Sequence, residues 1–184
     1  MLNYIKENSK IITKLLLNQT GATILGFTIS GFGVTRDSIF VFTSLFATAF
    51  YISLIYSAMW EEGGKERIRI DGGRAEMKPL RGLWVSLIAN IPNMILALGA
   101  VIGSIFGSTD GAFGWQWAGT LGGLCKTIAV FWEGMYMGLI RTYSPFNPIA
   151  YVLVIFPAII VSTGAYYLGV NNKKLLGFLN KKKK

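Results

Sequence analysis

Two ionisable residues sit inside an otherwise apolar run. Lys126 and Glu133 both fall within residues 117–140, where no other charged side chain occurs. On a helix, seven-residue spacing places them on nearly one face, about 10 Å apart along the axis. That is too far for a direct i,i+4 ion pair. Within a bilayer, such residues mark a polar path for a proton, an ion or a small solute. On a helix lying in the interface, the same two side chains form only its wet face, and that is the plainer reading.

A second polar feature interrupts residues 83–107. Asn90 and Asn93 share a helical face beside Pro92. Proline has no N–H and cannot satisfy the Ile88 carbonyl, so a kink is expected there. Breaks of this kind build binding notches in transporters. Buried asparagines also serve as hydrogen-bonded glue between helices, which is again the plainer reading.

Enzymatic signals are thin. There is no histidine, which excludes a Ser-His-Asp triad, and Cys125 is the only cysteine. A Cys/His zinc site and an intramolecular disulfide are excluded with it. No P-loop, nucleophile elbow or dinucleotide fingerprint occurs. The adjacent Glu61 and Glu62 are a weak metal signal, and an enzyme would need two of Glu61, Glu62, Asp110 and Glu133 to meet. The expectation is no catalytic residue, no metal and no cofactor.

The elements that must position these residues are membrane helices. The chain has 184 residues, is 52% hydrophobic and carries a net charge of +9. Its apolar residues fall in long blocks, as in membrane spans. Four spans are expected at residues 15–34, 39–59, 83–107 and 149–170, the last kinked or notched by Pro157. The first is the most polar, with Asn18, Gln19, Thr20 and Thr23; it is too long for a signal-peptide core and no cleavage pattern follows. A short link at 33–38 makes the first two spans an antiparallel hairpin.

Lysine and arginine counts decide the fate of residues 117–140. If all five apolar blocks cross, 10 basic residues lie inside and 7 outside. If 117–140 does not cross, three from the lead-in, six from 60–82 and six from the tail give 15 inside. Only Arg36, Lys126 and Arg141 then remain outside, a total of 3. The positive-inside rule prefers the second arrangement. The expected fold is therefore all-α, with four transmembrane helices plus a re-entrant or interfacial segment at 117–140; five spans are the alternative. Both termini would be cytoplasmic, in the cell membrane.

The loop at 60–82 alternates charged and apolar residues around Ile68 and Ile70 before Gly72 and Gly73. That pattern predicts a small cytoplasmic β-hairpin. Its Arg67, Arg69, Arg74, Lys78 and Arg81 could meet lipid headgroups or a partner. The tail at 171–184 ends in Lys181–Lys184 and reads as a topology anchor. Between or beyond apolar blocks, basic residues serve orientation and anionic lipid, and no nucleic-acid partner is expected.

Two glycine sets offer packing surface. Gly99, Gly103 and Gly107 recur every fourth residue, as do Gly134 and Gly138. Such spacing lets backbones approach closely. The expected function is a small non-enzymatic integral membrane protein, a helix-packing subunit or accessory factor of a homo-oligomer or membrane complex. The alternative is a small-solute or ion transporter or channel component using Asn90, Asn93, Lys126 and Glu133.

Overall fold

The computed structural model describes residues 2–31, 36–107, 115–145 and 147–173. Among these the chain is helical and holds no strand. In order the helices are α1 (Leu2–Glu7), α2 (Ser9–Ser30), α3 (Asp37–Asp71), α4 (Arg81–Ala89) and α5 (Ile91–Phe106). Then come α6 (Gln116–Trp132), a 3₁₀ turn (Gly134–Tyr136), α7 (Met137–Tyr143), α8 (Ile149–Leu153) and α9 (Ile155–Val170). Asp110, Lys174 and Lys181–Lys184 lie outside the described residues, as do the last residues of the 15–34 block.

The expected β-hairpin at 60–82 is absent, because α3 continues unbroken to Asp71. The alternating charges that suggested a strand also stand three and four residues apart. Lys65 pairs with Glu61 at 2.8 Å, Arg67 with Asp71 at 3.2 Å and Arg69 with Glu66 at 3.8 Å. Each is a helix-spaced pair. The two glycines end the helix rather than turn a hairpin. Gly73 adopts φ +66°, its N–H donates to the Ile70 carbonyl, and the Arg74 N–H donates to the Arg69 carbonyl. This is a Schellman C-cap.

Among the described residues, two helical stretches are long and apolar enough to cross a membrane: Asp37–Asp71 and Ile149–Val170. A third is added if α4 and α5, bent by 55° at their junction, count as one span. The count expected from the apolar blocks was four. The difference is α2, whose Asn18, Gln19, Thr20 and Thr23 dilute its apolar character. Within α3, every charged residue except Asp37 lies beyond Trp60. At about 1.5 Å per residue its length of 35 residues exceeds a hydrocarbon core of about 30 Å, so the charged end projects past the apolar 39–59 stretch. The pause at Val154 between α8 and α9 precedes Pro157 by three residues. The ring at 157 obstructs the Leu153 carbonyl, which ends α8 there.

Small residues set the packing. α3 lies along α9, where a Cβ on Gly63 would overlap the Tyr166 carbonyl and one on Gly169 the Trp60 carbonyl. α5 lies along α6 with Gly103 against Gly122 and Gly107 against Gly119. Ala47, Ala58, Ala158 and Ala165 are buried around Tyr51, Ile55, Met59 and Tyr166. The perimeter is apolar: Phe42, Phe46, Ile95, Leu98, Leu124, Phe131 and Ile160 are exposed. In water so much apolar surface would be costly, whereas lipid tails accept it.

Candidate polar site at a broken helix

The helical path through residues 117–140 breaks at Glu133. That residue leaves helical geometry (φ −110°, ψ 29°) between α6 and the 3₁₀ turn. A break frees backbone carbonyls, and buried carbonyls need donors. Neighbouring hydroxyls supply them. Thr23 Oγ1 on α2 donates to the Trp132 carbonyl at 2.8 Å. Ser44 Oγ and Thr48 Oγ1 on α3 donate to the Met135 carbonyl at 2.7 and 3.3 Å. The break is wedged closely between these two helices. A Cβ on Gly26 would come within 2.7 Å of Met135 Cα, and one on Gly134 within 2.5 Å of the Phe27 ring. A Cβ on Gly138 would overlap the Phe40 carbonyl.

Glu133 itself is 2% exposed. Its Oε2 is buried without a hydrogen-bond partner among the described residues. Glu133 contributes to the wall of a cavity of about 200 Å³, together with Lys126, Arg141 and Tyr151. Val130, Met137, Ile140 and Pro145 supply the apolar part. Neither cation forms an ion pair with Glu133. The Arg141 guanidinium instead stacks over the Phe40 ring, 5.4 Å from its centroid. The Tyr136 hydroxyl is buried without a hydrogen-bond partner among the described residues, and its ring meets Tyr51 edge-on at 6.4 Å. A second cavity of about 280 Å³ lies along the glycine-lined groove between α5 and α6. Ser104 and Lys126 contribute to it, so Lys126 borders both spaces.

Asn90, Pro92 and Asn93 stand elsewhere. Pro92 is the second residue of α5 and Asn90 caps both halves of the bent pair. The two asparagine side chains join Gln19 of α2 in a buried network. Gln19 Nε2 donates to Asn93 Oδ1 at 2.8 Å, and Asn93 Nδ2 donates to Gln19 Oε1 at 3.2 Å and Asn90 Oδ1 at 2.8 Å. Asn90 Nδ2 donates to the Ser86 carbonyl at 2.9 Å. None of these side chains lines the Glu133 cavity. Every polar group in the network is engaged, which ties α2 to the bend.

The glycines pack helices within the chain. Besides the α5–α6 approach, a Cβ on Gly99 would come within 2.5 Å of Cys125 Sγ. The basic residues of the 60–82 segment divide. Arg74 and Lys78 are exposed, and Arg69 is exposed beside Glu66. Arg67 bridges Asp71 and the Val170 carbonyl at the end of α9. Arg81 is drawn inward, pairing with Glu66, with Glu62 at 3.1 Å and with Asn8 Oδ1 at 2.9 Å. Just outside this cluster, hydrogen bonds from Lys14 and Lys65 hold the exposed Glu61 carboxyl down to about 2.

Sequence reasoning did not single out Gln19, Thr23, Ser44, Arg141 or Tyr151 as partners of these sites. Thr23 and Gly26, three residues apart on α2, were the available signal for the wedge: a hydroxyl and a gap on one face. Among the described residues no group of three or more His, Cys, Asp or Glu side chains could hold a metal. No protein-family model, curated protein or solved structure matches the chain.

Proposed function

We propose that this chain is a small non-enzymatic integral membrane protein that acts as a solute- or ion-handling component, with Lys126 and Glu133 on its polar path. The observation that carries this reading is their convergence on one cavity at a helix break. Discontinuous helices whose irregular backbone lines a cavity recur at the substrate sites of membrane transporters. Glu133→Gln should abolish movement of solute into liposomes containing the purified protein while leaving its elution volume unchanged. Absence of any flux with the native chain, together with an unaltered phenotype of E133Q in cells, would remove the proposal.

A packing or accessory subunit is the second reading. It is supported by the exposed apolar faces of α5 and α6, including Ile95, Leu98, Leu121 and Leu124. The named glycines already pack helices within the chain: Gly103, Gly107 and Gly138 against backbone, Gly99 against Cys125 and Gly134 against the Phe27 ring. A stable complex in mild detergent that survives E133Q would favour this reading over transport.

The finer topology is proposed with it: a cell-membrane location, cytoplasmic termini and four crossings, with α2 as the least apolar. Gln19 and Thr23 turn inward to Asn93 and Trp132, so a crossing α2 would not present them to lipid. Arg67, Arg69, Arg74 and Lys78 would then meet anionic headgroups or a partner, while Arg81 is taken up by its carboxylates. A reporter active only in the cytoplasm, fused after Lys184, tests this arrangement; an inactive fusion would reverse it.

A further inference from the structure

We infer that the Glu133 cavity binds a small zwitterionic solute, with the solute's ammonium on the Glu133 carboxylate and its carboxylate on Lys126 and Arg141. This rests on the solute-handling reading and names its substrate class. The wall carries one carboxyl and two cationic side chains, and no ion pair joins them. Glu133 is almost wholly buried, yet Oε2 has no hydrogen-bond donor among the described residues. A buried carboxylate without a donor is costly, and a positively charged ligand group removes that cost.

Ligands with one sign of charge fit the wall less well. An inorganic cation needs several oxygen donors, and the described residues hold no acidic cluster to supply them. It would also face Lys126 and Arg141. A simple anion would lie against Glu133. A proton alone would leave both cations without a counter-charge among the described residues, and the space unfilled. A molecule bearing both charges answers each side. Its carbon body meets Val130, Met137 and Ile140.

Size narrows the class. A volume of about 200 Å³ equals the liquid share of about six or seven waters at roughly 30 Å³ each. That is below the roughly 300–1,000 Å³ of pockets for drug-sized ligands. Room exists for a short amino acid. Lys126 also borders the groove between α5 and α6.

The test is equilibrium binding to the full chain in detergent. Radiolabelled alanine, β-alanine and γ-aminobutyrate provide three charge separations, with acetate and methylammonium as competitors. At least one zwitterion should bind saturably, and neither singly charged competitor should displace it at equal concentration. Glu133→Gln and Lys126→Met should each weaken binding by tenfold or more. Arg141→Gln alters an exposed side chain and should weaken it by several-fold, which keeps the test open if E133Q does not fold. No binding of any of the three, or displacement by methylammonium alone, overturns the inference. Flux in liposomes separates the two ideas. Flux without zwitterion binding leaves solute handling standing and removes this assignment. Binding without flux retains the site and removes transport.

Discussion

The Ser44 hydroxyl on α3 donates to the Met135 carbonyl at 2.7 Å and accepts from the Leu139 N–H at 3.4 Å. One side chain thus ties the 3₁₀ turn after Glu133 to the first turn of α7. Ser44→Ala should lower stability by about 1 kcal/mol, because Thr48 still reaches the same carbonyl from 3.3 Å. Ser44→Ala with Thr48→Val should cost more than the two single changes added. Thermal unfolding in detergent measures both. Additive costs would mean that the two hydroxyls do not share the carbonyl.

Gly103 meets Gly122 backbone to backbone, so an added methyl has nothing flexible to displace. Gly103→Val should destabilise the α5–α6 pair by several kcal/mol, in the range of overpacked cores. Gly164, within α9, has open space around its added Cβ. Gly164→Ala should be neutral or stabilising by up to about 1 kcal/mol from helix propensity. The unfolding midpoint should fall for Gly103→Val and hold or rise for Gly164→Ala.

Gln19 and Asn93 exchange two hydrogen bonds across 74 residues of sequence. A double-mutant cycle with Gln19→Leu and Asn93→Leu should give a coupling of about 0.6–1.7 kcal/mol, the range for polar pairs inside membrane proteins. A coupling near zero would mean that each amide finds another partner when the first is lost.

Arg81 compensates two carboxylates from one helix. Arg81→Met leaves Glu66, 6% exposed, without its principal counter-charge. The expected cost is about 3–5 kcal/mol, as for other broken buried pairs. Adding Glu62→Gln and Glu66→Gln to R81M should recover a large part of that loss. Chemical denaturation of the single and triple variants tests this.

Glu61 offers a small effect with a defined sign. Its carboxyl is held down to about 2 by Lys14 and Lys65, from an ordinary 4.5. A depressed carboxyl stabilises fully above its unfolded value and loses that contribution as pH falls through the folded value. Glu61→Gln should therefore cost a few tenths of a kcal/mol at pH 7, since the pairs are exposed. The difference from the native chain should vanish near pH 2.

The chemistry-bearing residues were easier to read from the sequence than their surroundings. Lys126 and Glu133 stood out as charges in an apolar run, and Pro92 marked the α4–α5 bend. What covers them was not legible. Gln19 read only as one of several polar residues in the first span, because nothing local shows that a helix 74 residues away carries Asn93. The break at Glu133 has no proline to announce it; hydroxyls on α2 and α3 stabilise it, and those are long-range facts. The 60–82 hairpin failed for a local reason. Alternation around Ile68 and Ile70 and i,i+4 charge pairing coexist in one segment, and the helix won with the α9 contact at Gly63 added.

That contact gives α3 a mechanical character. Gly63 and Gly64 would make a natural hinge, but Gly63 is clamped against Tyr166 and Gly169 of α9. Ser44, which holds the Glu133 break, and Glu66, which holds Arg81, therefore stand on one stiff rod. They are 22 residues and about 33 Å apart along it. A rocking of about 5° about Ser44 sweeps Glu66 through about 3 Å, which is comparable to the length of a hydrogen bond. The Glu133 break is the fulcrum of a lever, and the Arg81 cluster is the load at its far end.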